Sequence, residues 1–238
     1  MTARDRLILA LDLPSVDAAE GMVKRLQGKI HLFKVGLQLF TAEGPRVIGR
    51  IHDRGGRVFL DLKYHDIPHT VAAAVAQAVE WGVFMLDLHA GGGQAMMRAA
   101  VDAAAEKAAS IGVVRPRLLA VTVLTSLAQT DLKALGVGGT VEEQVLALAR
   151  LAKEAGLDGV VASPAEAGAI RRSLGPDLLL VTPGIRPHGA DTDDQRRIAT
   201  ARGALTAGAD YVVVGRPVLK AADPVAAVEN LVAEMETP

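Results

Sequence analysis

The stretch Asp61-Leu62-Lys63-Tyr64-His65-Asp66-Ile67-Pro68-His69-Thr70 brings two carboxylates, an ammonium, two imidazoles and a threonine hydroxyl into ten residues. On a strand, residues two apart point the same way, so Asp61 and Lys63 share a face. A carboxylate beside an ammonium keeps that lysine charged. This suits electrostatic stabilisation and proton donation better than Schiff-base attack. Two other readings compete. One is a buried structural ion pair, which is costly to assemble, and Asp12 and Lys34 would add charge to it. The other is a metal site using Asp61, Asp66, His65 and His69. Pro68 between the two histidines and lysines among the carboxylates weigh against a cation there.

A second group of residues suits an anion. Val212-Val213-Val214-Gly215-Arg216 is an apolar run ending in a glycine and an arginine. Glycine lets backbone N–H groups approach an anion, and a guanidinium grips phosphate bidentately. The segment Thr182-Pro183-Gly184-Ile185-Arg186-Pro187-His188-Gly189-Ala190-Asp191 adds Arg186 in a Gly- and Pro-rich loop that suits a lid, or an ordinary surface loop. Gly91-Gly92-Gly93 and Gly136-Val137-Gly138-Gly139 match no phosphate-loop fingerprint and read as turns. His89 reads as a polar barrel residue. Neither a serine-hydrolase elbow nor a zinc-protease helix motif is present.

These residues need elements to hold them. Short Val-, Ile- and Leu-rich runs alternate with Ala-rich stretches of helical period. Strands are predicted at 7–13, 31–36, 57–63, 85–90, 117–124, 159–163, 178–181 and 211–215. Helices are predicted at 15–26, 44–54, 68–81, 94–110, 141–155, 164–173, 194–207 and 224–235. Eight strand–helix units at roughly 30 residues each predict an α/β fold, a closed (β/α)8 TIM barrel forming a single domain over 1–238. A doubly wound sheet shares the alternation, but no glycine-rich dinucleotide loop follows the first strand. In a barrel the carboxyl ends of the strands carry the chemistry. Asp12, Lys34, Asp61, Lys63, His89, Thr122, Thr125, Gly215 and Arg216 all fall near such ends.

Composition narrows the classes further. The 238 residues are 50% hydrophobic, with 26 Lys+Arg against 27 Asp+Glu and only 3% aromatics. A charge near zero and few stacking rings argue against a nucleic-acid or anionic-membrane binder. The absence of cysteine excludes disulfides, thiolate zinc sites and cysteine nucleophiles. A charged N-terminus and the lack of any long apolar run predict a cytoplasmic protein with neither signal peptide nor membrane span.

The chain resembles the orotidine 5'-phosphate decarboxylase family. The hallmark Asp-x-Lys-x-x-Asp-Ile-x-x-Thr is met by Asp61, Lys63, Asp66, Ile67 and Thr70. In order along the chain, Leu9-Ala10-Leu11-Asp12, Phe33-Lys34-Val35-Gly36, Val121-Thr122-Val123-Leu124-Thr125-Ser126, Thr182-Pro183-Gly184-Ile185-Arg186 and Val213-Val214-Gly215-Arg216 also match. The Leu-Thr-Ser stretch is similar to the bacterial branch. The resemblance implies a homodimer that decarboxylates orotidine 5'-phosphate to UMP without metal or organic cofactor. It implies that Asp12 and Lys34 hold ribose hydroxyls, that Asp61 faces the substrate carboxylate and that Lys63 protonates C6. Asp66 and Thr70 would reach into the neighbouring subunit's site, and Thr125 would lie near the pyrimidine. Gln195 would bridge base and phosphate, with Arg186, Gly215 and Arg216 on the phosphate. Two alternatives stay open: a magnesium-dependent sugar-phosphate decarboxylase or aldolase of the same barrel superfamily, and a barrel that binds a phosphate ester without turning it over.

Overall fold

In the computed structural model, which describes residues 1–186 and 199–236, eight parallel strands close into a barrel in sequential order. They are β1 (Leu7–Ala10), β2 (Leu32–Gly36), β3 (Arg57–Tyr64), β4 (Met85–His89), β5 (Arg117–Val121), β6 (Gly159–Val161), β7 (Leu179–Thr182) and β8 (Tyr211–Val214). The ring is closed by the pairing of β1 with β8. The main helices behind the strands are α1 (Val16–Arg25), α2 (Arg46–His52), α3 (Pro68–Glu80), α4 (Gly93–Ile111), α5 (Val141–Glu154), α6 (Pro164–Leu174), α7 (Ala201–Thr206) and α8 (Pro224–Glu236). Among the described residues, no helix is long and apolar enough to cross a membrane.

Local chemistry sets several helix starts. Ser15 caps α1 through the Ala18 N–H. Thr140 and Glu143 form a reciprocal capping box on α5. Pro68 and Pro164 open α3 and α6, where a missing N–H costs nothing.

Two apolar layers result. The larger lies between strands and helices. The smaller fills the barrel interior with Ile8, Ala10, Leu32, Phe59, Met85, Leu119, Val181, Tyr211 and Val213. At the amino-terminal end the interior is closed by Arg57 and Arg117, whose guanidiniums lie 4.2 and 5.1 Å from the Phe84 ring centre. Arg117 also donates to the Tyr211 hydroxyl at 2.6 Å.

The structure moves several predicted boundaries. β1 ends at Ala10, β5 at Val121 and β6 at Val161, so Asp12, Thr122 and Thr125 sit in the loops beyond their strands. The predicted helix 44–54 is shorter, α2 over Arg46–His52, and a separate helix over Leu37–Glu43 precedes it, ended at Gly44 by a φ of 63°. Short helices at Gln129–Ala134 and Arg216–Leu219 come in addition. Of the predicted helix 194–207, residues 194–198 lie outside the described residues.

Candidate active site

Alternation along the strands builds the site. Residues two beyond the interior layer point to the same side, at the carboxyl end of the barrel. Ala10 leads to Asp12, Leu32 to Lys34, Phe59 to Asp61 and Met85 to Asp87. Leu119 leads to Val121, Val181 to Pro183 and Val213 to Gly215. All seven line one cavity of about 280 Å³, as do Lys63, Thr125, Arg186 and Arg216.

Within the cavity, opposite charges alternate in a chain. Lys34 Nζ lies 3.4 Å from Asp12 Oδ1 and 2.9 Å from Asp61 Oδ2. Lys63 Nζ donates to the other Asp61 oxygen, Oδ1. Asp61 is buried. Burial by itself would raise its pKa, but Lys34, a hydrogen bond with Asp87 and Lys63 outweigh it and hold the carboxyl far below the usual range. Burial would likewise lower the Lys34 ammonium, and Asp61 with Asp12 hold it above its ordinary value. Lys34 folds over Gly36, where an added Cβ would sit 2.9 Å from its Nζ and make the ammonium shift.

Asp61 and Lys63 meet as their spacing predicts, but not on a regular strand. β3 pairs with β4 at Leu60↔Leu86 and next at Tyr64↔Leu88, so four steps on β3 match two on β4. Inside this bulge Lys63 takes φ +50°, the one positive φ at a described non-glycine residue. Its N–H, displaced from the ladder, donates to Asp87 Oδ1 at 2.8 Å.

Most predicted site residues converge. Asp12, Lys34, Asp61, Lys63, Thr125, Arg186, Gly215 and Arg216 line the cavity. Asp66 and Thr70 do not; they are exposed just after β3 and in the first turn of α3. Gln195 lies outside the described residues. The alternative metal set Asp61, Asp66, His65 and His69 is not assembled: among the described residues no three His, Asp or Glu side chains group as ligands. The His65 ring instead packs 5.3 Å from that of His89 at the end of β4.

Asp87 and Gly36 were not singled out from the sequence as site residues. The same alternation that marks Asp61 after Phe59 marks Asp87 after Met85, and Phe59 pairs with Met85 just before the bulge. Gly36 matters only once Lys34 is seen to fold over it.

The match to known proteins is extensive. A profile of the orotidine 5'-phosphate decarboxylase / HUMPS family matches residues 5–231. The orotidine 5'-phosphate decarboxylase of Moorella thermoacetica is 52% identical over 237 residues, which is 99% of this chain and 94% of that protein. That of Syntrophotalea carbinolica is 54% identical over 233 residues, covering 98% and 96%. The crystal structure of orotidine 5'-phosphate decarboxylase from Lactobacillus acidophilus superposes with a TM-score of 0.87 at 36% identity, covering 98% of this chain and 100% of that one. With its barrel, its charged cavity and this similarity along nearly its whole length, the chain belongs to the orotidine 5'-phosphate decarboxylase / HUMPS family.

Proposed function

We infer that the protein decarboxylates orotidine 5'-phosphate to UMP and CO2, the step that completes a pyrimidine nucleotide, with Lys63 as the proton donor to C6. The observation that carries this reading is the alternating chain Asp12, Lys34, Asp61, Lys63 at the mouth of a barrel whose other loops bring Arg186 and Arg216.

Loss of CO2 leaves an electron pair in an sp2 orbital of C6, in the ring plane and out of reach of the π system. Fixed charges must stabilise it directly. Enzymes lower barriers by about 8–23 kcal/mol, and a reaction this inert calls for the upper part of that range. A single charge pair at 4 Å supplies about 4 kcal/mol at an effective dielectric near 20. Lys63 is therefore one contributor among several. Asp61, held ionised between two lysines, keeps the Lys63 ammonium beside the reacting carbon. Lys63 then gives its proton to C6 and ends as a neutral amine.

The rest of the stabilisation comes from binding energy at the remote phosphate and ribose, expressed at C6. Arg186, Arg216 and the backbone at Gly215 hold the phosphate, and Gln195 bridges base and phosphate. Asp12 and Lys34 hold the ribose, and Thr125 lies by the pyrimidine. The whole chain acts as one barrel domain in the cytoplasm. It works as a homodimer in which Asp66 and Thr70 serve the partner's site. Ile67, 65% exposed next to Asp66, and Leu37, 57% exposed just after β2, support this arrangement as apolar side chains for a second copy to cover.

A magnesium-dependent sugar-phosphate enzyme is the competing reading within the same family. Both Asp61 oxygens are already engaged by lysines, which leaves a cation poorly served. The test is the absorbance change on incubating the protein with orotidine 5'-phosphate in EDTA. Turnover that survives the chelator is expected. Loss of turnover that magnesium restores, or no absorbance change at all, would overturn the assignment.

A further inference from the structure

We propose that Asp87 is a positioning residue for this reaction: a neutral carboxyl that accepts the Lys63 backbone N–H through Oδ1 and donates through Oδ2 to Asp61, fixing the bulge from which Lys63 reaches the substrate. The inference rests on the assignment of Lys63 as the proton donor.

The geometry gives Asp87 two jobs. A lysine at φ +50° is in a conformation that L-residues adopt at a cost, and it persists only where surrounding contacts impose it. The β3–β4 ladder supplies no such contact, because it is interrupted between Leu60 and Tyr64. The Asp87 side chain replaces the lost backbone acceptor, taking the Lys63 N–H at 2.8 Å. Without it, that N–H would be left unpaired at the edge of a buried site.

The second job concerns the other oxygen. Asp87 is 1% exposed, and no donor among the described residues reaches its buried Oδ2. Its neighbour is the Asp61 carboxyl, whose negative charge acts on it directly, so a proton on Oδ2 would give that oxygen a bond to make. Two carboxyls in contact share a proton, and which one keeps it follows from their surroundings. Asp61 has an ammonium on each oxygen. Asp87 lies among apolar neighbours, with Leu119 and Met85 beside it. Burial, and then the negative charge of Asp61, push Asp87 well above the usual carboxylate range.

The neighbouring elements agree with this protonation. β3 presents Asp61, Lys63 and Tyr64; β2 beyond it presents Lys34; β4 itself carries His89; and β5 presents Leu119 and Val121 at this level, with Arg117 toward the amino-terminal end. A neutral Asp87 leaves two cations, Lys34 and Lys63, balanced by two anions, Asp12 and Asp61. An ionised Asp87 would place a third negative charge next to Asp61 in the cavity.

The experiment compares Asp87→Ala, Asp87→Asn and Lys63→Ala with the parent enzyme by steady-state orotidine 5'-phosphate kinetics and by thermal melting between pH 4 and 8. Asp87→Ala is expected to lower kcat about 100-fold with KM nearly unchanged, the size of effect that a small misplacement of a reacting group produces. Asp87→Asn offers the same acceptor and donor without a charge. It should recover the rate to within about tenfold of the parent.

The melting curves test the proton. A raised carboxyl makes folding take up a proton above the unfolded pKa, so its share of stability is complete near pH 4 and declines as the pH rises toward the folded value. Asp87→Asn should therefore melt above the parent at pH 8, by at least about 2 °C, with the gap closing toward pH 4. A parental kcat in Asp87→Ala overturns the proposal. So does an Asp87→Asn enzyme as slow as Asp87→Ala, or a melting gap that does not change with pH. If Asp87→Ala does not fold, Asp87→Asn and its pH dependence still decide. An active Lys63→Ala enzyme would instead remove the assignment on which the proposal stands.

Discussion

The two halves of the cavity are unlike. From β1 to β4 the inward positions above the interior layer are Asp12, Lys34, Asp61 and Asp87, with Lys63 beside them; from β5 to β8 they are Val121, Pro183 and Gly215, with Val123, Val161 and Val213 near them. Arg186 and Arg216 supply the cations of the second half, and they belong to the loops after β7 and β8. The barrel repeats one unit eight times, so its geometry does not impose this asymmetry; residue choice does. On the proposed mechanism the charged half fixes ions around the reacting atom, and the apolar half keeps water from screening them, which is what makes fixed charges strong.

The largest expected loss comes from the charged half. Lys63→Ala should remove both the ammonium beside C6 and the proton itself, and lower kcat by about 10⁴-fold or more while the barrel still folds. Single-turnover assays with far-UV circular dichroism check both parts. The same variant probes the composite site. Lys63→Ala and Asp66→Ala homodimers, each inactive alone, should regain about a quarter of parental activity after mixing and re-equilibration, since half the dimers are hybrids with one intact site of two. Mixtures that stay inactive would confine both residues to a single subunit's site.

An intermediate effect is expected at the arginines of the other half. Arg216→Ala removes a bidentate grip on the phosphate, and kcat/KM for orotidine 5'-phosphate should fall by about 10²–10³. If the phosphate's binding energy is used at C6, free phosphite should activate the parent toward a truncated nucleoside lacking the phosphate, and should activate Arg216→Ala much less. Unchanged kinetics in Arg216→Ala would break the division of labour between the halves.

The asymmetry is only partly visible in the sequence. Charged residues at the ends of apolar runs stand out, which is why Asp12, Lys34, Asp61 and Lys63 could be placed at one rim from spacing alone. Asp87 sits between Leu86 and Leu88 in a short run, and there it resembles any polar residue near a strand end. Its direction follows only from the pairing of Met85, two residues before it, with Phe59. The Lys63 backbone was equally hidden, because a positive φ is usually signalled by glycine or asparagine, and the conformation here is held by a side chain from another strand. Gly44 does carry that signal, but the helical period from 44 on reads as a single start there and hides the separate helix Leu37–Glu43 before it. Asp66 and Thr70 follow the family hallmark, yet within one chain they point to no cavity. In the proposed dimer their meaning depends on a second copy, which strand-end logic does not address.

The smallest expected effect sharpens the comparison most, because it leaves every charge in place. Val121 is buried at the end of β5, on the apolar side of the cavity. Val121→Thr keeps the shape and adds one hydroxyl. In a core, an unpartnered hydroxyl costs about 1–3 kcal/mol, but here it has the cavity to face. Most of that cost should therefore fall on binding and little on folding. A hydroxyl there holds a water molecule where the ring would lie, and displacing that water should raise KM by up to about tenfold with melting nearly unchanged. If instead kcat falls and KM is constant, the apolar half takes part in stabilising the carbanion and is more than a wall that excludes water.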